Sequence, residues 1–355
     1  MRDGSAPATD ARWGPKLRLG VGLLSGLGLL AWFLGGLHWR ELGRVLSDLS
    51  WGWVVVAGLL ILADYALHAW RWGVLVRHVD RGVDFGLLWR ATAIGWGFNP
   101  LLPLRAGNFL RPAVVAMRRP VAYGTLLFTT IAEYVCDAFG IVLMVLWMVL
   151  LLPPAWLEGG GLLADVQRWG VWAAVASLAT LFVVVLLSSR QARDVVERFV
   201  ACLPEGRLRG GILGVFDQLV AGMAAVGHPL RLLEAMGLTV LYWVCWLLAI
   251  LATLRAFHVE LPLAGALFME AALTLSMMIP QAPGFLGVFH VVTEEALSLW
   301  GTPAAQAQGI ALVFWMLAFV PITLLGLVAS WREGLDLFGG KRGVLHELAA
   351  REGLE

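Results

Sequence analysis

Two arginines beside a broken apolar run are the side chains best placed to do chemistry in this sequence. Residues 96–111 read W-G-F-N-P-L-L-P-L-R-A-G-N-F-L-R, which sets Asn99, Arg105, Gly107, Asn108 and Arg111 around Pro100 and Pro103. A guanidinium fork suits phosphate. An arginine near the bilayer centre costs about 2.5–3.5 kcal/mol on insertion scales, and such residues usually mark a pathway or a site. The competing reading puts both arginines at the cytoplasmic interface, snorkelling to water. Asn99 and Asn108 either hydrogen-bond a head group or cap the broken backbone locally.

Acids are available to meet these cations. Glu133 and Asp137 lie four apart in an apolar run, so on a helix they share a face. The arginines of the break are their natural partners, whether in a transport site or in a purely structural ion pair. Asp64, His68 and Arg71 line one helical face at spacings of four and three. Arg71 is expected at the interface, and Asp64 deeper, within reach of the same polar cluster. A second break at 279–290, I-P-Q-A-P-G-F-L-G-V-F-H, supplies Gln281, Pro283, Gly284, Gly287 and His290. Its glycines permit close backbone approach. A helix starting at 288 would point its positive dipole end at an anion. The plainer reading is a turn between two helices. Neither these residues nor Cys136, Cys202 and Cys245 have metal-ligand spacing. No nucleophile elbow or phosphate loop is present, so the sequence points to no catalytic residue, no metal and no cofactor, and the chain is not expected to be an enzyme.

The elements that must position these groups are membrane helices. The 355 residues are 59% hydrophobic and 14% charged, with mean hydropathy +0.79, whereas a soluble domain carries about 25% charged residues. Net charge is +1, which gives no reason to expect nucleic acid as a partner. A helix crossing the bilayer needs about 20 apolar residues. Such runs occur near 17–38, 51–71, 121–152, 168–188, 232–255 and 306–331. Two further regions, 86–119 and 263–300, each contain a Pro/Gly break. Two prolines three apart do not continue an ordinary helix. Freed backbone groups at membrane depth survive only against protein or a water-filled cavity. Arginine placement favours re-entry for the first region, since full crossing would move the arginine-rich loop 189–209 outside. The second region either re-enters or crosses twice.

The expected architecture is therefore all-α and polytopic: about six full spans plus two broken re-entrant regions, arranged as an inverted repeat. A polar N-tail covers 1–16. One membrane domain covers 17–331, with halves 17–152 and 168–331 and a cytoplasmic loop 189–230 carrying an amphipathic helix near 208–226. A short tail covers 332–355. Both termini are expected in the cytoplasm, and the protein in the cytoplasmic membrane. Tryptophans near span ends, including Trp51, Trp53, Trp70, Trp72 and Trp331, fit an interfacial belt. Paired breaks in corresponding positions of two halves are a pointer to a transporter-type binding site.

At the level of motifs the chain resembles the lysylphosphatidylglycerol synthase transmembrane-region family, flippase-like integral membrane proteins that include the flippase half of the multiple peptide resistance factor. Residues 99–111 resemble its N-x-x-x-P-x-R-x-G-[E/D]-x-x-R, Glu133 and Asp137 its E-R-x-x-D, and residues 283–290 its P-G-G-x-G-x-x-E. The resemblance covers about 17–331. It implies movement of lipid across the bilayer, with aminoacylated phospholipid or polyprenyl-linked sugar as cargo. Asn108 replaces a family acid, Tyr134 an arginine, Phe285 a glycine and His290 an acid, which alters the charge of any pocket. Three functions are in competition: a translocator of anionic lipid, a non-transporting scaffold for a glycosyltransferase or lipid-modifying enzyme, and a small-solute transporter.

Overall fold

Helix caps and helix breakers divide the chain. The computed structural model describes residues 39–102, 105–151, 228–278 and 283–335, with Gly35, Arg198 and parts of 213–221. The expected spans 17–38 and 168–188, the loop helix near 208–226, Cys202, Gln281, the tail 1–16 and nearly all of 332–355 lie wholly or largely outside these residues. Among the described residues the elements are helical and no strand occurs.

A short helix α1 (Trp39–Ser47) precedes the long α2 (Trp51–Val79). Helix α3 (Phe85–Phe98) starts where the Asp84 side chain accepts from the Leu87 amide at 3.0 Å, an N-cap that satisfies one orphan donor. It stops ahead of Pro100, and α4 (Gly107–Arg118) resumes beyond the break. Helix α5 (Tyr123–Leu151) ends just before Pro153 and Pro154. Helix α6 (Pro229–Ala256) opens with proline in its first turn, where the missing N–H costs nothing. Helices α7 (Leu263–Met278) and α8 (Val288–Ser298) flank the second break. Helix α9 (Ala304–Glu333) closes at Gly334, whose φ of 64° makes a left-handed cap.

Helices α2, α5, α6 and α9 are each long and apolar enough to cross a membrane, and α7 is a shorter apolar helix. The protein is an integral membrane protein. Helices α3, α4, α7 and α8 have 14, 12, 16 and 11 residues, short of the roughly 20 that a crossing needs. The long helix α2 packs along α6, and α9 along α3. Buried Ile61, Trp72, Leu88, Ile94, Phe98, Phe289 and Phe314 form part of one apolar core that links both broken pairs.

Two expectations are corrected here. Helix α2 continues to Val79 rather than ending near 71. Trp72, expected in the interfacial belt, is fully buried, and its Nε1 donates to Thr129 Oγ1 at 3.0 Å. Trp51, Trp70 and Trp331 are exposed, as an interfacial position requires.

Candidate functional site

The two breaks meet. The Gly284 amide donates to the Pro100 carbonyl at 2.5 Å, and Trp315 Nε1 donates to the Gly284 carbonyl at 2.7 Å. Each break also holds a non-glycine residue in left-handed conformation, Arg105 at φ 55° and Phe285 at φ 55°. The Arg105 guanidinium lies 5.9 Å from the centre of the Phe285 ring. Backbone strain of this kind costs of order 1–3 kcal/mol and persists only where the surroundings impose it. Here each break props the other.

Beside this junction lies a cavity of about 340 Å³. Asn99, Arg105, Asn108, Arg111, Glu133 and Asp137 all contribute to its wall. So do Asp64, His68 and Arg71 of α2, Tyr242, Trp243 and Trp246 of α6, and Trp96 of α3. The volume suits a polar head group and falls near the lower end of small-ligand pockets.

The cavity's charges are mostly matched. Glu133 pairs directly with Arg111 and also lies 3.4 Å from Arg71. Asp137 pairs directly with Arg71 and accepts from the Tyr242 hydroxyl at 2.5 Å. Arg71 also donates to Thr239 Oγ1 at 3.1 Å and lies over the Tyr242 ring at 4.9 Å. The Arg111 guanidinium lies over the Trp72 ring at 4.6 Å. These groups come from α2, α4, α5 and α6, so the network ties four helices together. Buried ion pairs survive only when such additional bonds satisfy the remaining donors and acceptors.

Arg105 is different. Its Nη1 donates to the Met277 carbonyl at 3.2 Å, its Nε has no hydrogen-bond partner, and among the described residues it makes no ion pair. Of the cavity's three arginines it is the one that makes no ion pair with a carboxylate among the described residues. Asn99 Nδ2 donates to Asn108 Oδ1 at 3.3 Å, which bridges the two sides of the break, and Asn99 Oδ1 has no partner among the described residues.

The second break contributes less to this wall than the first. Phe285 lines the cavity, while Gly284, Gly287 and His290 do not. His290 stacks against Trp315 at 5.7 Å. Gly287, at φ 86°, is the N-cap of α8. Pro283 and Gly284 form a single 3-10 turn with Phe285. Gly107 serves packing: a Cβ there would come within 2.6 Å of the Asn99 amide nitrogen, so glycine is what lets α4 touch α3.

Arg71, expected at the interface, is 1% exposed and sits at the centre of the ion network. Its spacing from Asp64 and His68 was a usable signal, but the flanking Trp70 and Trp72 imitate a span end. Tyr242 and the buried Glu270 of α7 are not singled out by sequence reasoning. A lone acid inside the apolar run 263–278 was the sign for Glu270.

Residues 18–326 match the family described as "Lysylphosphatidylglycerol synthase TM region". The chain belongs to this family. Within the family's reach lies a curated relative, "Glycosyltransferase AglD" of Haloferax volcanii, 26% identical over 289 residues. That match covers 75% of this chain and 46% of the relative, so the chain spans about half the length of the protein it resembles. No solved structure matches. Family membership agrees with a membrane protein that handles lipid or glycolipid.

Proposed function

We propose that the protein translocates lipid across the cytoplasmic membrane, with an anionic or phosphate-bearing head group seated in the cavity beside the two breaks. The observation that carries this reading is Arg105, a cavity arginine at the junction of the breaks that pairs with no carboxylate among the described residues. A phosphate there would take the donors left over by Met277 and find Asn99 and Asn108 alongside. Acyl chains exceed a cavity of about 340 Å³ and would stay in the bilayer. In this reading the broken helix pairs are re-entrant, the two halves form an inverted repeat, both termini are cytoplasmic, and the chain is a translocator rather than an enzyme.

The test is lipid mass spectrometry on protein purified in mild detergent, with wild type compared to Arg105→Ala. One phosphate-bearing lipid enriched on wild type and lost in the variant supports the reading. Bulk lipid on both removes it. The name of the Haloferax relative favours one second reading, in which the chain is the membrane scaffold of a glycosyltransferase. A stoichiometric enzyme partner together with no lipid movement in reconstituted vesicles would select it.

A further inference from the structure

Ion pairs occupy Arg71, Arg111, Glu133 and Asp137, and the rest of the cavity's polar wall divides into two poles. One is Arg105 with Asn99 and Asn108 at the first break. The other lies where α2 faces α3 and α6. Asp64 and His68, 3% and 6% exposed, line the cavity there beside Tyr65, Trp96 and Tyr242. Ring contacts make this pole one cluster. His68 lies 4.8 Å from Trp96 and 4.1 Å from Tyr242, and Tyr65 lies 6.1 Å from Trp96. Three of its polar atoms have no hydrogen-bond partner among the described residues: Asp64 Oδ1, His68 Nδ1 and Trp96 Nε1. His68 does not serve Asp64 instead, since its Nε2 stands 3.8 Å from the other carboxylate oxygen, beyond hydrogen-bond reach. The tyrosines are satisfied. Tyr65 donates to the Ala318 carbonyl at 2.6 Å and Tyr242 to Asp137 at 2.5 Å. Buried polar side chains ordinarily find partners, so three unmet atoms on one cavity wall ask for a ligand.

The unmet atoms differ in kind, and the difference selects the ligand's chemistry. Trp96 Nε1 only donates, an ionised Asp64 only accepts, and His68 Nδ1 does either according to its tautomer. An ammonium carries donors alone, so it would meet Asp64 and leave Trp96 unmet. A second phosphate carries acceptors alone and would be repelled by Asp64. A hydroxyl both donates and accepts, and hydroxyls on one ring can serve Asp64 and Trp96 together. The half-buried Trp96, Trp243 and Trp246 add ring surface to the wall. Their electron-rich faces suit the C–H groups of a polyol ring. We infer that this pole binds a neutral polyhydroxyl ring, a sugar or an inositol, carried on the phosphate that Arg105 takes. The inference rests on the anionic-lipid reading above and narrows it, because it separates a hydroxyl-rich head group from an amine-bearing one.

The experiment is native mass spectrometry of the full-length protein in detergent, titrated in turn with short-chain phosphatidylinositol, phosphatidylmethanol and phosphatidylethanolamine. The first two carry the same phosphodiester charge and differ in the polyol. Wild type should bind phosphatidylinositol roughly tenfold or more tighter than phosphatidylmethanol, the gain of one hydrogen bond to a charged group. Asp64→Asn and Trp96→Phe, which keeps the ring and removes the N–H, should each bring that ratio close to one. Equal wild-type affinity for the two phosphodiesters overturns the inference and leaves the anionic-lipid reading standing. A ratio that survives in both variants also overturns it. So does phosphatidylethanolamine binding tighter than phosphatidylinositol, which would make the pole an ammonium site. Inositol phosphate without acyl chains that competes as well as the lipid keeps the pole and removes the lipid reading. Wild type that binds none of the three lipids removes both.

Discussion

At the scale of single residues the two arginines of the first motif part company. Arg111 holds Glu133, which is 2% exposed, so Arg111→Ala leaves a buried charge with only the 3.4 Å contact to Arg71. The loss should be about 3 kcal/mol or more. A double variant with Glu133→Gln should recover much of it, as thermal unfolding in detergent would register. Arg105→Ala strands no acid among the described residues and should change stability by less than about 1 kcal/mol while abolishing cargo binding. Equal destabilisation by the two substitutions would contradict this division. Phe285 carries a related argument. The family pattern has glycine there, and φ 55° explains why. Phe285→Gly should relieve of order 1 kcal/mol of strain but lose about 3 kcal/mol of ring packing against Phe319 at 5.1 Å. A net loss near 2 kcal/mol in unfolding, with weaker cargo binding, is the expected result.

At the scale of elements, glycines set how closely the broken pairs approach their neighbours. A Cβ on Gly97 of α3 would meet the Ile322 carbonyl of α9 at 2.6 Å, and one on Gly326 would meet the Ala93 carbonyl at 2.6 Å. Small residues at such crossings let membrane helices touch backbone to backbone. Gly97→Val should therefore cost about 1–3 kcal/mol by overpacking. Gly58→Ala, whose new methyl would sit 3.5 Å from Leu317, should be neutral or slightly stabilising. A Tm that falls equally for both would refute the crossing argument. Positions of this kind mark the limit of what the sequence discloses. Pro100, Pro103 and Gly287 announce the breaks because proline and left-handed glycine act locally. The bounds of α5, α6 and α9 follow from hydropathy, which also acts along the chain. The neighbours of Gly97 do not, since Ile322 and Gly326 lie more than two hundred residues away. The same holds for the cavity. Glu133, Asp137 and Arg111 are legible as charges in apolar runs. That Arg71 rather than Arg105 answers Asp137 depends on how α2 packs against α5 and α6, which no local pattern encodes.

At the scale of the molecule, a second set of charges fastens the ends of the helices outside the cavity. Glu333 at the end of α9 accepts from Arg90 of α3 at 2.5 Å and from Arg118 of α4 at 2.9 Å. Arg119 grips Asp80, just past α2, with bonds of 2.6 and 2.9 Å. The arginines of these pairs are a third to a half exposed, so salt partly screens them, while the Glu333 side chain is 7% exposed. The bonds from Arg119, followed by the Gly82 amide, hold the Asp80 carboxyl below the usual aspartate range. A depressed folded-state value contributes stability that is present above the unfolded value of about 3.9 and is lost as pH falls through the folded one. Between pH 8 and pH 6 the Asp80 clasp is therefore constant. Thermal unfolding of wild type and Asp80→Asn should differ by a fixed amount from pH 8 down to pH 5. The two curves should then converge as the medium approaches pH 3. A gap that instead widens on acidification would mean that Asp80 opposes folding when charged, and the clasp would have to be replaced by a different account of how α2 and α4 are held.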